Sequence, residues 1–302
     1  MNKLYYFLLL VITLACQNKQ NELATPTQAT VVGATNVSSA LPEFATTVNA
    51  AQNEIYFNRT SADRAVMQIM HAQLIDGNWS TTLALPFSTG EFRDVDPFLS
   101  TDGKRLYFSS TRPVPQTGQT GIFNTWYVNQ VDGDWSDPIY APYPLNSDST
   151  EIFVTLAENG NAYFVTERNG DRGIVVSRYQ NDRYQEPEKI VLKLQGEVVY
   201  ASNPCISSDE RFLIVTAWDP QGPRNPDLFV AWNQNGSWTE LQNLGSNVNT
   251  AHAEFAPGLS KDNKTLYFTS ERPGIVGAPT DEARPPGDIY VVNLAPILDQ
   301  LK

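Results

Sequence analysis

The sequence predicts an all-β chain folded as a five-bladed β-propeller of four-stranded blades, its ring closed by an N-terminal strand that completes the last blade. Three observations carry this expectation. The stretch "DVDPFLSTDGKRLYFSSTRP" (Asp94–Pro113) recurs without a gap as "EFAPGLSKDNKTLYFTSERP" (Glu254–Pro273). A chemical site is normally written once, whereas a structural unit is written as often as it is stacked. The same anchor, an apolar triplet after a turn, falls at Ile55, Leu106, Ala162, Leu213 and Leu266, with spacings of 51, 56, 51 and 53 residues. A period of about 50 residues in strand-rich sequence is that of propeller blades. Finally, aromatics make up 11% of the chain, Thr and Val are abundant, and no window carries a long helical period. That mixture favours strands.

Each copy reads as four strands. The first runs into a turn such as Thr101-Asp102-Gly103 or Lys261-Asp262-Asn263, and the "LYF" run forms the second. The third is "TWYVNQ" (Thr125–Gln130), "DLFVAW" (Asp227–Trp232) or "DIYVVN" (Asp288–Asn293). It turns at Asp76-Gly77, Asp132-Gly133, Asn181-Asp182 or Asn235-Gly236, where Asp, Asn and Gly tolerate the positive φ of a tight hairpin. Trp79, Trp135, Tyr184 and Trp238 follow those turns and open the outermost strand. No such strand follows Asn293. Instead Thr27–Glu43 aligns with Trp238–Glu254, so the first folded segment is expected to pair with the strand holding Ile289, Tyr290 and Val291. Closure by the chain's own ends removes two exposed sheet edges.

The N-terminus stands apart from the repeats. Lys3 precedes an apolar run, Leu4–Ala15, too short to span a bilayer and of signal length. It ends in "TLAC", with small Ala15 before Cys16. This resembles a bacterial lipobox, which implies cleavage before Cys16 and lipidation of that residue. Thr13 stands where the motif more usually has Leu, and an ordinary secretory signal with a chance Cys is the competing reading. Residues 1–15 are thus read as a lipoprotein signal, 16–26 as a flexible tether and 27–302 as the propeller. The remaining cysteine, Cys205, has no intramolecular partner after cleavage and occupies an apolar strand position suited to packing.

With 302 residues and 41% hydrophobic content the chain can bury a large core. A net charge of −12 repels phosphate backbones, so no nucleic-acid partner is expected. The two histidines, His71 and His252, fall in different copies, and no G-x-S-x-G, H-E-x-x-H or P-loop occurs. No cofactor or metal site is read, because "DVD" and "DGD" lack the ligand spacing of a calcium loop.

The repeats "DPFLSTDGKRLYFSSTRP" and "FAPGLSKDNKTLYFTSERPG…DIYVVN" resemble the WD-type β-propeller repeats of TolB-like proteins, common among bacterial envelope proteins and lipoproteins. The resemblance covers about Thr27 to Asn293. It implies a propeller that supports protein or ligand contacts. Some relatives are lyases or peptidase-associated domains, so the fold leaves an enzyme open. No separate N-terminal domain accompanies the repeats, so the role of TolB itself does not carry over.

Two features single out candidate site residues. Three long Pro- and Gly-rich loops, Arg112–Asn124, Trp218–Asp227 and Arg272–Gly287, lie on the face where first strands start. Such loops on a rigid ring are a usual place for recognition, and Trp218 offers a large aromatic surface. Acids recur at the first-strand start: Glu43, Asp94, Glu151 and Glu254, with Ala201 in the fourth copy. In a five-fold ring they could crowd near the axis as a cation site, and three carboxylates around an axial pocket would also resemble a glycosidase site. Alternatively they pair with Arg112, Arg168 and Arg272, which follow the second strands; the fourth copy lacks both partners, with Ala201 and Asp219. His252 lies beside Glu254. The expected binding face therefore comprises Glu43, Asp94, Arg112, Glu151, Trp218, His252, Glu254 and Arg272. The expectation is a monomeric, envelope-anchored protein that binds a protein or glycan and touches the membrane through its N-terminal lipid. The rival is a carbohydrate-active hydrolase or lyase.

Overall fold

The structure, a computed structural model, describes residues 25–222, 225–274 and 285–302. Cys16, the apolar run and the tether up to residue 24 lie outside the described residues. Five antiparallel blades surround an axis. Their innermost strands are Glu43–Val48, Asp94–Leu99, Glu151–Leu156, Ala201–Ile206 and Glu254–Leu259. Second strands follow at Glu54–Thr60, Arg105–Ser110, Ala162–Thr166, Phe212–Ala217 and Thr265–Ser270, then third strands at Met67–Ile75, Asn124–Val131, Gly173–Ser177, Asp227–Gln234 and Asp288–Asn293. The hairpin turns read from the sequence hold. Asp76-Gly77, Asp132-Gly133 and Asn235-Gly236 each combine two residues with φ between 50° and 93°, the primed geometry that matches strand twist.

The ring closes as expected. Thr30 pairs with Val291 and Val31 with Tyr290, and the Val32 N–H donates to the Ile289 carbonyl at 2.8 Å. Contacts begin slightly before the expected start of the fold, since Pro26 accepts from the Asn293 N–H at 2.7 Å. At the closing seam a Cβ on Gly258 would lie 2.0 Å from the Thr46 carbonyl, so only glycine fits between the first and last blades.

The outermost strands depart from the simple reading. In blades one, two and four each is split into two short pieces, such as Ser237–Trp238 and Gln242–Asn243, both pairing with the third strand. Tyr184 belongs to a separate small hairpin, Tyr179–Gln180 with Arg183–Tyr184. A further hairpin, Lys193–Leu194 with Glu197–Val198, sits between blades three and four. The C-terminus adds a short helix, Ala295–Asp299, whose Ile297 and Leu298 pack with Phe212, Leu266 and Val292 at the seam of blades four and five.

The core is a set of layers between neighbouring blades. Phe57, Phe108, Phe164 and Phe268, the third residues of the "LYF" positions, are fully buried. Cys205 is buried in the fourth-to-fifth layer, where desolvation pushes its thiol up to about 12, so it packs rather than reacts. A sixth cluster joins Ala45, Phe153 and Ala256 across the axis.

Those axial residues share a backbone device. The third residue of every innermost strand is left-handed: Ala45, Asp96, Phe153, Asn203 and Ala256 have φ of 50°, 57°, 55°, 48° and 50°. A register shift interrupts the ladder beside each. Bulges of this kind bend the strand and leave one N–H without a ladder partner. In four seams the preceding blade supplies one. Asn58 Oδ1 accepts from Asp96 N at 2.7 Å, Ser109 Oγ from Phe153 N at 3.1 Å, Thr216 Oγ1 from Ala256 N at 3.3 Å and Thr269 Oγ1 from Ala45 N at 3.3 Å. Between blades three and four the corresponding residue is Val165, which cannot accept.

Candidate binding face

The recurring acids and arginines form ion pairs. Arg112 Nη1 donates to Asp94, Arg168 Nε to Glu151 at 3.0 Å and Arg272 Nη2 to Glu254 at 3.2 Å. The first blade achieves the same result from another position, with Arg59 Nε donating to Glu43 at 2.6 Å. Each arginine also donates to a carbonyl in the connection entering its blade, at Phe87, Pro144, Val248 or Val37, and lies over the fully buried phenylalanine of its second strand. From the opposite side, Ser39, Ser147 and Thr250 cap Glu43, Glu151 and Glu254 through both hydroxyl and backbone N–H. Burial pushes the Glu43 and Asp94 carboxyls above their usual range, while hydrogen bonds to Glu43 and the Arg112 charge beside Asp94 oppose it. Ionisation of these acids therefore depends on their clasps.

This corrects the expected face. Glu43, Asp94, Glu151 and Glu254 are fully buried and each is held by an arginine, Asp94 through Oδ1 alone, so they are closed off from a ligand at the surface. Arg112 and Arg272 are committed to the same clasps. Arg59 escaped the sequence reading because it lies on its strand, where Ser110 and Ser270 donate to the acid in blades two and five. The "NRTS" segment after Phe57 was the available signal. His252 is half-buried, its backbone N–H held by Thr250 Oγ1 at 3.2 Å.

The three long loops do share one face, and their ends are tied to the next blade. Phe123, Pro226 and Gly287 carbonyls accept from the N–H groups of Glu151, Glu254 and Glu43 at 2.7–2.9 Å. Residues 223–224 and 275–284, within two of these loops, lie outside the described residues.

The exception to the clasp rule lies in the fourth blade. There Ala201 faces Ala217, and the arginine position holds Asp219. Above this plain pair, Tyr200 and Trp218 stack with centroids 5.9 Å apart and planes 29° apart, and remain 42% and 40% exposed. The Arg172 guanidinium, from the third blade, lies 5.8 Å from the Tyr200 ring. An exposed aromatic pair beside a cation is a surface suited to stacking against a ligand. Trp218 was legible in the sequence; Tyr200 and Arg172 were not, because the loops of two blades bring them together.

Along the axis, Phe153 spans the ring to contact Ala45 and Ala256, with half-buried Phe44, Ile152 and Phe255 packed beside it. On the side facing the first-to-second-strand hairpins lies a cavity of about 60 Å³, bounded by Ala45, Asp96, Phe153, Thr155, Cys205 and Gly258. It has room for ions or waters, not for a sugar ring. Asp96 is the carboxylate there. A second space, a groove of about 450 Å³, follows the outer side of the third-to-fourth seam between Tyr163, Trp238, Arg178, Lys193, Glu188 and Glu240. It has the size of a small-ligand site.

No protein-family model matches the chain, and no curated protein matches it. Solved structures do resemble it. A thermostable family-43 glycoside hydrolase aligns at 12% identity with a TM-score of 0.55, covering 86% of this chain and 91% of that one. An α-L-arabinofuranosidase from Lactobacillus brevis aligns at 12% identity and 0.52, covering 85% and 92%. TolB from Acinetobacter baumannii aligns at 13% identity and 0.46; the match covers 83% of this chain and about half, 54%, of TolB. At these identities the likeness is one of fold, and a fold alone does not decide function.

Proposed function

We propose that this protein is an exported, lipid-anchored component of a bacterial cell envelope whose propeller binds a protein or glycan partner through its loop-bearing face, without catalysing a reaction. One observation carries the non-catalytic reading. The four carboxylates that could have formed an axial acid–base set are each spent on a buried arginine clasp. Two-carboxylate glycoside hydrolysis needs a pair of unencumbered acids about 5–10 Å apart across an open pocket. Asp96 lies alone in a cavity too small for a sugar. The binding reading rests on the Tyr200–Trp218 pair, exposed where the fourth blade lacks its clasp. Anchoring rests on the "TLAC" segment at Cys16.

The competing reading is carbohydrate hydrolysis, favoured by the glycoside hydrolases among the structural neighbours above 0.5 in TM-score. Capture of partners from native envelopes, alongside a glycan panel scored both for retention and for cleavage, separates the two. Retention without cleavage supports the proposal. Turnover of any glycan that survives loss of the arginine clasps but not of an unpaired acid overturns it.

A further inference from the structure

Asp96 breaks the rule that the rest of the ring obeys. Buried carboxylates are expected to be paired with a cation or to bind one. Glu43, Asp94, Glu151 and Glu254 are paired with arginine. Asp96 occupies the left-handed ring position where the other blades carry Ala45, Phe153, Asn203 and Ala256. Its backbone N–H is held by Asn58, but its carboxylate has no hydrogen-bond or ion-pair partner among the described residues. It is half-buried in the lining of the axial cavity, and desolvation alone pushes its carboxyl up to about 7.

A second polar group lines the same cavity without a partner. Thr46, on the neighbouring first blade, is 5% exposed, and its Oγ1 makes no hydrogen bond. A buried hydroxyl left this way is destabilising unless something fills the space beside it. Two other threonines of the lining are occupied: Thr47 Oγ1 accepts from Leu99 N, and Thr155 Oγ1 donates to the Pro204 carbonyl. Lys261 lines the mouth but is exposed and forms no ion pair with Asp96 among the described residues. Phe153 and the alanines opposite it lie across the axis on the loop side, so the cavity is reached from the hairpin face.

We propose that the axial cavity binds a single monovalent metal cation, of sodium or potassium size, with the Asp96 carboxylate and the Thr46 hydroxyl among its oxygen ligands. One negative charge and neutral oxygens suit a monovalent ion. Divalent sites of useful affinity gather several carboxylates, and among the described residues none joins Asp96 in the cavity lining. A cavity of about 60 Å³ holds such an ion with a water or two.

The test is thermal unfolding of the purified full chain at pH 8, in choline chloride exchanged stepwise for sodium or potassium chloride at constant ionic strength. The wild-type midpoint should rise saturably with one of the two metal ions. Asp96→Asn should lose that response while remaining folded in choline, and Thr46→Val should weaken the apparent affinity about tenfold. A thallium or rubidium anomalous peak in the axial cavity should accompany the response. Equal salt responses in wild type and Asp96→Asn would show non-specific screening and overturn the proposal. So would a wild type that gains stability only on acidification, which would make the proton the sole occupant of Asp96. A response to micromolar calcium with none to sodium or potassium would overturn the monovalent assignment.

Discussion

Ala201 and Ala217 are register partners on the two inner strands of the fourth blade, at the positions where Asp94 faces Ser110 and Glu254 faces Ser270. The ring therefore contains its own comparison between a clasped blade and an unclasped one. In the unclasped blade both members of the pair are missing, so no acid is left buried on its inner strand. In the second blade, Arg112→Ala removes one partner and strands Asp94 in the interior. Such half-removals typically cost about 3–5 kcal/mol, whereas exchanging both partners for apolar groups is often near neutral. The expected order is Arg112→Ala much less stable than wild type, with Asp94→Ala/Arg112→Ala recovering most of the loss. Chemical denaturation of the four members of the cycle measures it. A double variant as unstable as the sum of the singles would deny the reading of a self-contained clasp.

The closing strand gives the second prediction. Val32 and Val37 are buried on the segment that pairs with Asp288–Asn293, and Ser38 Oγ accepts from the Ile289 N–H at 3.1 Å. Deleting residues 27–39 should remove these contacts and open the fifth blade's edge. With each buried valine worth roughly 1.5–3 kcal/mol, the loss should be a sizeable share of a domain's total stability. Gly258→Ala tests the same seam from the other blade, because its Cβ meets the Thr46 carbonyl. Either variant melting like the intact protein would contradict closure between these blades.

Repetition made the fold legible. Sequence spacing located the blades, hairpin turns and closure, because a blade's turn chemistry and apolar register must be rewritten in each copy. The ion pairs were legible for a related reason, since Ala201 and Asp219 depart together. Three things escaped. Arg59 reaches its acid from within a strand, so matching positions did not align. The left-handed ring was invisible because Ala45, Phe153 and Ala256 are not residue types that announce positive φ. Asp96 consequently does not stand out within "DVD", although it is the one ring position bearing a charge. The Ala295–Asp299 helix is too short to produce a period.

Asp96 yields a pH prediction. Its folded pKa, about 7, lies above the unfolded value of about 4. The native state thus holds an extra proton between these values, and stability falls as pH rises through that window. The other titratable groups lining the cavity are Cys205, whose thiol stays neutral, and exposed Lys261. In choline buffer, Asp96→Asn should match wild type near pH 4 and exceed it at pH 8, by at most about 4 kcal/mol. Unfolding midpoints of both proteins across pH 4–8 measure the difference. Parallel curves would mean that Asp96 is not desolvated.

Anchoring is tested separately from the propeller. A single acyl chain holds a protein to membranes only marginally, whereas two or three make attachment persistent. Globomycin should cause a precursor to accumulate, and Cys16→Ser should release the protein from the membrane fraction. Unchanged processing and retention in both experiments would exclude lipidation at Cys16 and leave the binding reading of the folded ring untouched.

The aromatic pair decides which face binds. Tyr200 and Trp218 are held near parallel by loops of one rigid blade, so little conformational freedom remains to be lost on binding. Aromatic anchors of this kind often contribute about 2 kcal/mol or more to an interface. With a partner captured from envelopes, Trp218→Ala should weaken binding by about thirtyfold, and Tyr200→Ala should weaken it less. Both rings lie at the surface outside the buried core, so neither change should lower the melting temperature appreciably. Trp238 and Lys193 provide the control, because they line the groove at the outer side of the same seam. Substituting Lys193 with Ala, or altering the Asp132-Gly133 turn on the hairpin face, should leave affinity unchanged. With binding retained in Trp218→Ala, loss in the Lys193 variant would move the site to the groove, and loss in the turn variant would move it to the hairpin face.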